Sequence, residues 1–128
     1  MPSSNAATIA AGVAVAFPNG TVSGSDITQL TPSTFNLSTP GIYMVMFQVS
    51  VTEAGQLVLA ANGTEIPASV AGRATGASQI VGMSFVTVAV ADTVLQVRNP
   101  SGNGVLTITP SAGGVHPVSA HVTILRLS

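Results

Sequence analysis

Residues 35–51 read FNLSTPGIYMVMFQVSV, and this stretch decides the fold. A short strand led by Phe35 runs into a Pro40-Gly41 turn, and a long strand then starts at Tyr43. A half-solvated strand alternates apolar with polar side chains from end to end. Residues 42–47, Ile-Tyr-Met-Val-Met-Phe, have no polar break except the tyrosine hydroxyl. Both faces of this strand therefore call for a cover: a facing sheet on one side and either that sheet or a neighbouring subunit for the side chains at 42, 44 and 46.

The composition points the same way. Hydrophobic residues make up 46% of the 128-residue chain and charged residues 5%, with three Arg, no Lys and four acids. A soluble domain ordinarily carries about 25% charged residues. A folded monomer of this size exposes roughly 6,200 Å², so seven charges leave wide areas with none. Ser and Thr wet part of that surface, and the rest is expected to meet other subunits. The length suits one domain, residues 1–128, with residues 1–7 as a flexible lead-in.

Several function classes fall away. Long uncharged stretches lie between Asp26 and Glu53 and between Arg98 and Arg126, but Pro, Gly, Ser and Thr interrupt both, so neither reads as a spanning helix. Four Phe, one Tyr and no Trp do not make the aromatic girdles of an outer-membrane barrel. The chain is read as soluble, with no membrane partner. Three scattered arginines and a net charge of -1 give no basic stripe, which excludes nucleic acid. Without cysteine there are no disulfides, no thiol chemistry and no Cys-ligated metal. The start MPSSNAATIAAG lacks the charged, long-apolar pattern of a secretory signal.

Short runs of Val, Ile, Thr and Phe punctuated by Gly, Pro and Asn predict an all-β chain of about eight to ten strands. The legible ones are 8–17, 27–30, 34–38, 42–52, 56–61, 79–90, 93–98, 105–109 and 118–127. Asn19-Gly20 and Asn62-Gly63 supply the positive φ of tight turns, and Asn99-Pro100 with Asn103-Gly104 mark another. The stretch 71–78, AGRATGAS, reads as a flexible loop. The first strand divides by face: Ile9, Val13, Val15 and Phe17 are bulky, whereas Ala10, Gly12, Ala14 and Ala16 are small. An all-small face is either a poorly filled sandwich face or a site where a neighbouring subunit approaches closely. In the last strand Val118, Ala120, Val122 and Ile124 share one face. So apolar a terminal strand is expected inside a sheet, beside the first strand.

These segments resemble the trimeric jelly-roll domains of the complement-q/TNF-like superfamily, through Phe35, Pro40-Gly41 and Tyr43 and the aliphatic C-terminal strand. Within it, ITQLTPSTFNLSTPGIY (27–43), VLAANGTEIPAS (58–69), QIVGMSFVTV (79–88) and SAHVTILRLS (119–128) are similar to the C-terminal domain of BclA-like collagen-like glycoproteins of the spore surface. The likeness covers nearly the whole chain. It implies a ten-stranded jelly-roll sandwich assembled as a homotrimer, located in the exosporium or a spore appendage. Core or trimer packing is then expected of Ala10, Gly12, Ala14, Ala16, Phe35, Tyr43, Met44, Met46, Phe47, Val122 and Ile124. A collagen-like stalk or a spore-surface anchoring protein is the implied partner, although the chain holds no Gly-X-Y repeat and no anchoring leader.

Chemistry is sparse. His116 and His121 alone titrate near neutrality unaided, and no Gly-X-Ser-X-Gly elbow accompanies them. No enzymatic activity and no cofactor are expected. Three copies of His121 on a threefold axis could hold zinc or an anion, against the plainer role of a structural or solvent-facing histidine. Asp26, Glu53, Glu65 and Asp92 lie too far apart for a calcium loop. Arg73 and Arg98 could recognise acidic sugars or a receptor carboxylate, against the plainer role of keeping loops solvated. The expected function is the structural, non-enzymatic head of a spore-surface filament. The alternative is an adhesin-type module that recognises a glycan or host protein through loops at one end of the trimer.

Overall fold

The computed structural model describes residues 8–20 and 24–128. The lead-in assigned to residues 1–7 lies outside them. Eleven strands follow in chain order among the described residues: β1 Thr8–Ile9, β2 Ile27–Thr31, β3 Thr34–Leu37, β4 Gly41–Val51, β5 Gly55–Ala61, β6 Thr64–Glu65, β7 Ala71–Arg73, β8 Ser78–Val88, β9 Thr93–Arg98, β10 Leu106–Thr107 and β11 Ala120–Arg126. A single 3-10 turn, Pro67–Ser69, separates β6 from β7.

The strands form an antiparallel β-sandwich. One sheet has the order β11-β4-β8, the other β2-β3-β9-β5-β6 with β7 also paired to β5. Strand β4 is the spine of the first sheet, paired along its whole length with β8 and over residues 43–49 with β11. The pleat sends Tyr43, Val45, Phe47, Val49 and Val51 inward, where all are buried. They meet Phe35, Leu37, Leu57, Leu59, Leu95 and Val97 of the second sheet in a continuous core. The sequence-predicted strand at 42–52 therefore has its facing sheet on one side only. Ile42, Met44 and Met46 point the other way and keep part of their surface exposed.

The Pro40-Gly41 and Tyr43 signature has a local physical cause. Tyr43 is fully buried, and its hydroxyl donates to the Thr39 carbonyl at 2.7 Å, so the one polar atom on the inner face is satisfied. Gly41 sits at φ +156°, and a Cβ there would lie 2.0 Å from the Ser128 carbonyl oxygen. The end of the chain lies against this glycine: Leu127 N–H donates to the Ile42 carbonyl at 2.8 Å and Ile42 N–H to that of Ser128 at 3.3 Å. Phe35 stacks at a tilt on Phe17, ring centroids 6.0 Å apart, closing the neighbouring part of the core.

Two expectations about the chain ends are corrected. Residues 8–17 are not one strand. Thr8 and Ile9 pair with Thr107 and Leu106, Gly12 then turns at φ +76°, and residues 12–15 run along the end of β9. There Gly12 N–H donates to Asn99, Asn99 N–H to Val13 and Val15 N–H to Val97. The segment passes from the two-stranded β1-β10 pair to the end of β9 in the second sheet. The face division breaks at that turn: Ile9, Val15 and Phe17 are buried, but Val13 is exposed, and Ala10 is exposed while Ala14 and Ala16 are half-buried. Strand β11 is likewise not interior. It pairs with β4 alone, and β1 pairs with β10, so the last strand is an edge of its sheet among the described residues. Its Ala120 is nevertheless buried, and Val122 and Ile124 pack against the core.

Asn62-Gly63 makes the expected hairpin, with φ of 50° and 83°. Asn19-Gly20 does not. Gly20 has no positive φ, and the side chain of Gln29 occupies the place its Cβ would take. The stretch 71–78 is also no simple loop, because Ala71–Arg73 is β7, paired with Leu57, Gln56 and Gly55.

Gly41→Ala, which sets a methyl group against the C-terminal backbone, is expected to lower unfolding free energy by about 1–3 kcal/mol. Tyr43→Phe, which removes one hydrogen bond and leaves the packing intact, is expected to cost about 1 kcal/mol. Chemical denaturation of the two variants beside the parent checks both values and their order.

Candidate functional site

The outer face of the β11-β4-β8 sheet is built from rungs fixed by strand register. Leu125, Met44 and Phe85 form one rung, Thr123, Met46 and Met83 the next, and His121, Gln48 and Val81 the third. Ile42 and Leu127 extend the apolar surface toward the end of the chain, where their backbones are hydrogen-bonded. Phe85 is 69% and Met83 64% exposed, and Val81, Ile42, Met46, Leu125 and Leu127 are also exposed. An unbranched thioether adapts to irregular surfaces, and three of the outward side chains on these rungs, Met44, Met46 and Met83, are methionines. No charged residue stands on the three rungs. A contiguous apolar patch of this kind on a protein surface marks an interaction site.

The inner positions of the same strands show why the patch is not misplaced core. Val122, Phe47 and Gly82 share an inner rung, and the Phe47 ring fills the space over the glycine. The core is complete without the outer side chains. Thus Phe35, Tyr43 and Phe47 are core residues, Val122 and Ile124 pack against that core, and Met44 and Met46 belong to the outer face.

His121 lies on this outer face beside Gln48, exposed. His116 is exposed in the loop before β11. Among the described residues no three His, Cys, Asp or Glu side chains come together as a metal site.

The acids have structural work that sequence reasoning missed. Glu53 accepts from the Thr107 backbone N–H and from Thr52 Oγ1, tying the β4–β5 turn to β10. Glu65 accepts from Ser101 N–H at 2.8 Å and Ser101 Oγ at 2.9 Å. Asp92, in a left-handed turn at φ 60°, accepts from Asn36 Nδ2 at 3.1 Å. Asp26 faces Arg126 across 3.6 Å and accepts from Thr39 Oγ1. Each acid fastens a turn to an element distant in sequence. Spacing alone carries no signal of this, since Glu53 and Glu65 are held by backbone N–H groups and Asp26 and Asp92 mainly by side chains far away in the chain.

The two arginines paired as a ligand loop separate. Arg98, on β9, donates to Gln96 Oε1 at 2.8 Å and to the Gly63 carbonyl at 3.2 Å. Arg73 ends β7 and lines a groove in which Arg98 takes no part.

A family model for the BclA C-terminal domain matches residues 2–128. The chain belongs to that family. It is thereby placed among the C-terminal domains of spore-surface, collagen-like proteins. No curated protein matches it in sequence. Among the described residues no helix is long and apolar enough to cross a membrane.

The acid staples give a pH dependence. Thr107's N–H, opposed by some desolvation, holds the Glu53 carboxyl below the ordinary value of 4.5, and Ser101's N–H does the same for Glu65, with the Ser101 hydroxyl adding to it. Folded pKa values lie below unfolded ones, so below 4.5 the unfolded chain binds more protons and stability falls with falling pH. Thermal melting is expected to be flat from about pH 6 to 8 and to drop on acidification. Glu53→Gln with Glu65→Gln is expected to lower the neutral-pH midpoint and flatten the acid limb; melting curves across the range check it.

Proposed function

We propose that this domain is the structural, non-enzymatic head of a spore-surface filament in the exosporium or a spore appendage, a jelly-roll sandwich whose copies assemble as a homotrimer. The observation that carries this is the apolar outer face of β11-β4-β8, with Phe85 and Met83 about two-thirds exposed at its centre. Burying a side chain of that size is worth about 1.5–3 kcal/mol, and a rung of three per protomer repeats at every contact. The protomer surface is 6364 Å², with seven charged side chains spread over it. Against such a surface a second and third copy are the partners whose composition is known to match.

Assembly also covers the exposed edge of β11 and completes the cover that β4 lacks on its outer side. A collagen-like stalk or an anchoring protein on the spore would join the head to the surface. The sidedness of the fold suits a structural part: stability comes from burial and backbone staples, with no cysteine to oxidise, no lysine to crosslink and only three arginines for trypsin.

Light scattering of the purified chain at micromolar concentration is expected to give three times the protomer mass; a monomer mass overturns the assembly. Phe85→Glu, a change outside the core, is expected to yield monomers that keep the parent's far-ultraviolet dichroism. Phe47→Ala, inside the core, is instead expected to cost about 3–5 kcal/mol of stability. If Phe85→Glu stays trimeric, this face is not the interface.

A further inference from the structure

One end of the sandwich holds a groove of about 730 Å³ between the start of β5, the end of β7 and the loop from Asn99 to Leu106. Glycine backbone and the side chains of Gln56, Asn99 and Asn103 form much of its wall, and Val105, with the largely buried Leu106 and two alanines, makes the apolar part. Asn103 Nδ2 donates to Gln56 Oε1 at 3.0 Å, which joins loop to strand and leaves the other amide atoms of both side chains for a ligand. Asn99 is buried, and its Nδ2 donates to the carbonyls of Ile9 at 2.8 Å and Gly104 at 2.9 Å, so the loop wall is held in place. These are fixed polar groups around an open cleft of ligand size.

Arg73 supplies the charge. Of the three arginines, Arg126 faces Asp26, and Arg98 donates to Gln96 and Gly63 near Glu65. Arg73 alone of the three has neither a carboxylate within 4.0 Å nor a hydrogen-bond acceptor among the described residues, and its Nε–H, like that of Arg126, is buried without an acceptor. Each of the four acids is occupied elsewhere, as described above. An unmet guanidinium among amide side chains attracts a carboxylate flanked by hydroxyls. The guanidinium pairs with the acid, and the carboxamides pair with the hydroxyl groups. Few large apolar side chains line the groove, so a peptide anchored by apolar residues has little to hold.

We propose that the Arg73 groove binds an acidic saccharide of the uronic-acid class. All its walls come from one protomer, so the site is independent of the assembly proposed above. A single weak site would gain by repetition in a trimer.

Nuclear magnetic resonance titration of the full chain tests this, with D-glucuronate as probe and D-glucose, acetate and N-acetylglutamate as controls at matched ionic strength. Glucuronate is expected to shift the amides of Gln56, Gly72, Arg73 and Asn103 with a millimolar dissociation constant. The three controls are expected to bind at least about tenfold more weakly, and Arg73→Gln to lose about tenfold for glucuronate, one tenfold step being 1.4 kcal/mol. No localised shift with glucuronate, equal binding of acetate or N-acetylglutamate, or undiminished binding by Arg73→Gln each overturns the proposal. Light scattering on the same samples reads the assembly separately, so the failure of one proposal is not mistaken for the failure of the other.

Discussion

Strand β4 has to be buried from both sides, and the rest of the structure is arranged around that constraint. Its inward residues, Tyr43 to Val51, find their cover within the chain, in the strands of the second sheet. Its outward residues find none. Because side chains alternate strictly along a strand, the inner set cannot be kept while the outer set is made polar by a shift of register; only substitution at 42, 44 and 46 would do that. The sequence keeps these positions apolar and places Phe85, Met83 and Val81 beside them on β8. The apolar character thus runs across three adjacent strands in register instead of sitting at one isolated position.

The second constraint is how so few charges can hold so many turns. Two of the four carboxylates, Glu53 and Glu65, are set on backbone N–H groups instead of on surface arginines. Exposed ion pairs are worth little, and the single one among the described residues, Asp26 with Arg126, is partly exposed on both sides. Buried neutral groups extend the same scheme. Ser69 Oγ accepts from Leu59 N–H at 2.9 Å and donates to the Ile66 carbonyl at 2.7 Å, which satisfies a core strand at its edge. Asn99 does this for the N-terminal crossing segment. The Asn99 contacts also tie the loop from 99 to 106 to the N-terminal segment.

How much could be read from the sequence depends on the range of the cause. Strands β4, β5, β8 and β9 follow from local alternation and β-branched or aromatic content, and their observed limits, such as Thr93–Arg98, fall within a residue or two of the pattern. The Asn62-Gly63 hairpin is equally local. The segment 8–17 misled because Gly12, which looks like one more small residue on a small face, is a left-handed turn between two sheets. That meaning comes only from β9 and β10, about ninety residues away in the chain. The edge position of β11 was unreadable for a related reason: its outward Leu125 and Leu127 belong to an apolar face that extends beyond one chain's own core. The groove was half-legible. Arg73 stood out for its setting, but its separation from Arg98 depends on which side of β5 each neighbouring strand adds to.

The Pro40-Gly41 and Tyr43 motif joins these levels. Proline ends the preceding segment, glycine admits the returning C-terminal backbone, and tyrosine closes the inner face with a satisfied hydroxyl. The same three residues set where β4 begins and hence which of its residues face out. Had the strand started one residue later, Met44 and Met46 would lie inward and Tyr43 outward, and the sandwich would lose its core. The close approach of Ser128 to Gly41 then anchors β11 in the register that brings Leu125 beside Met44 and Phe85. The apolar face is thus fixed by the motif through which the two ends of the β4–β11 pair meet, and its geometry is as specific as that of the core behind it.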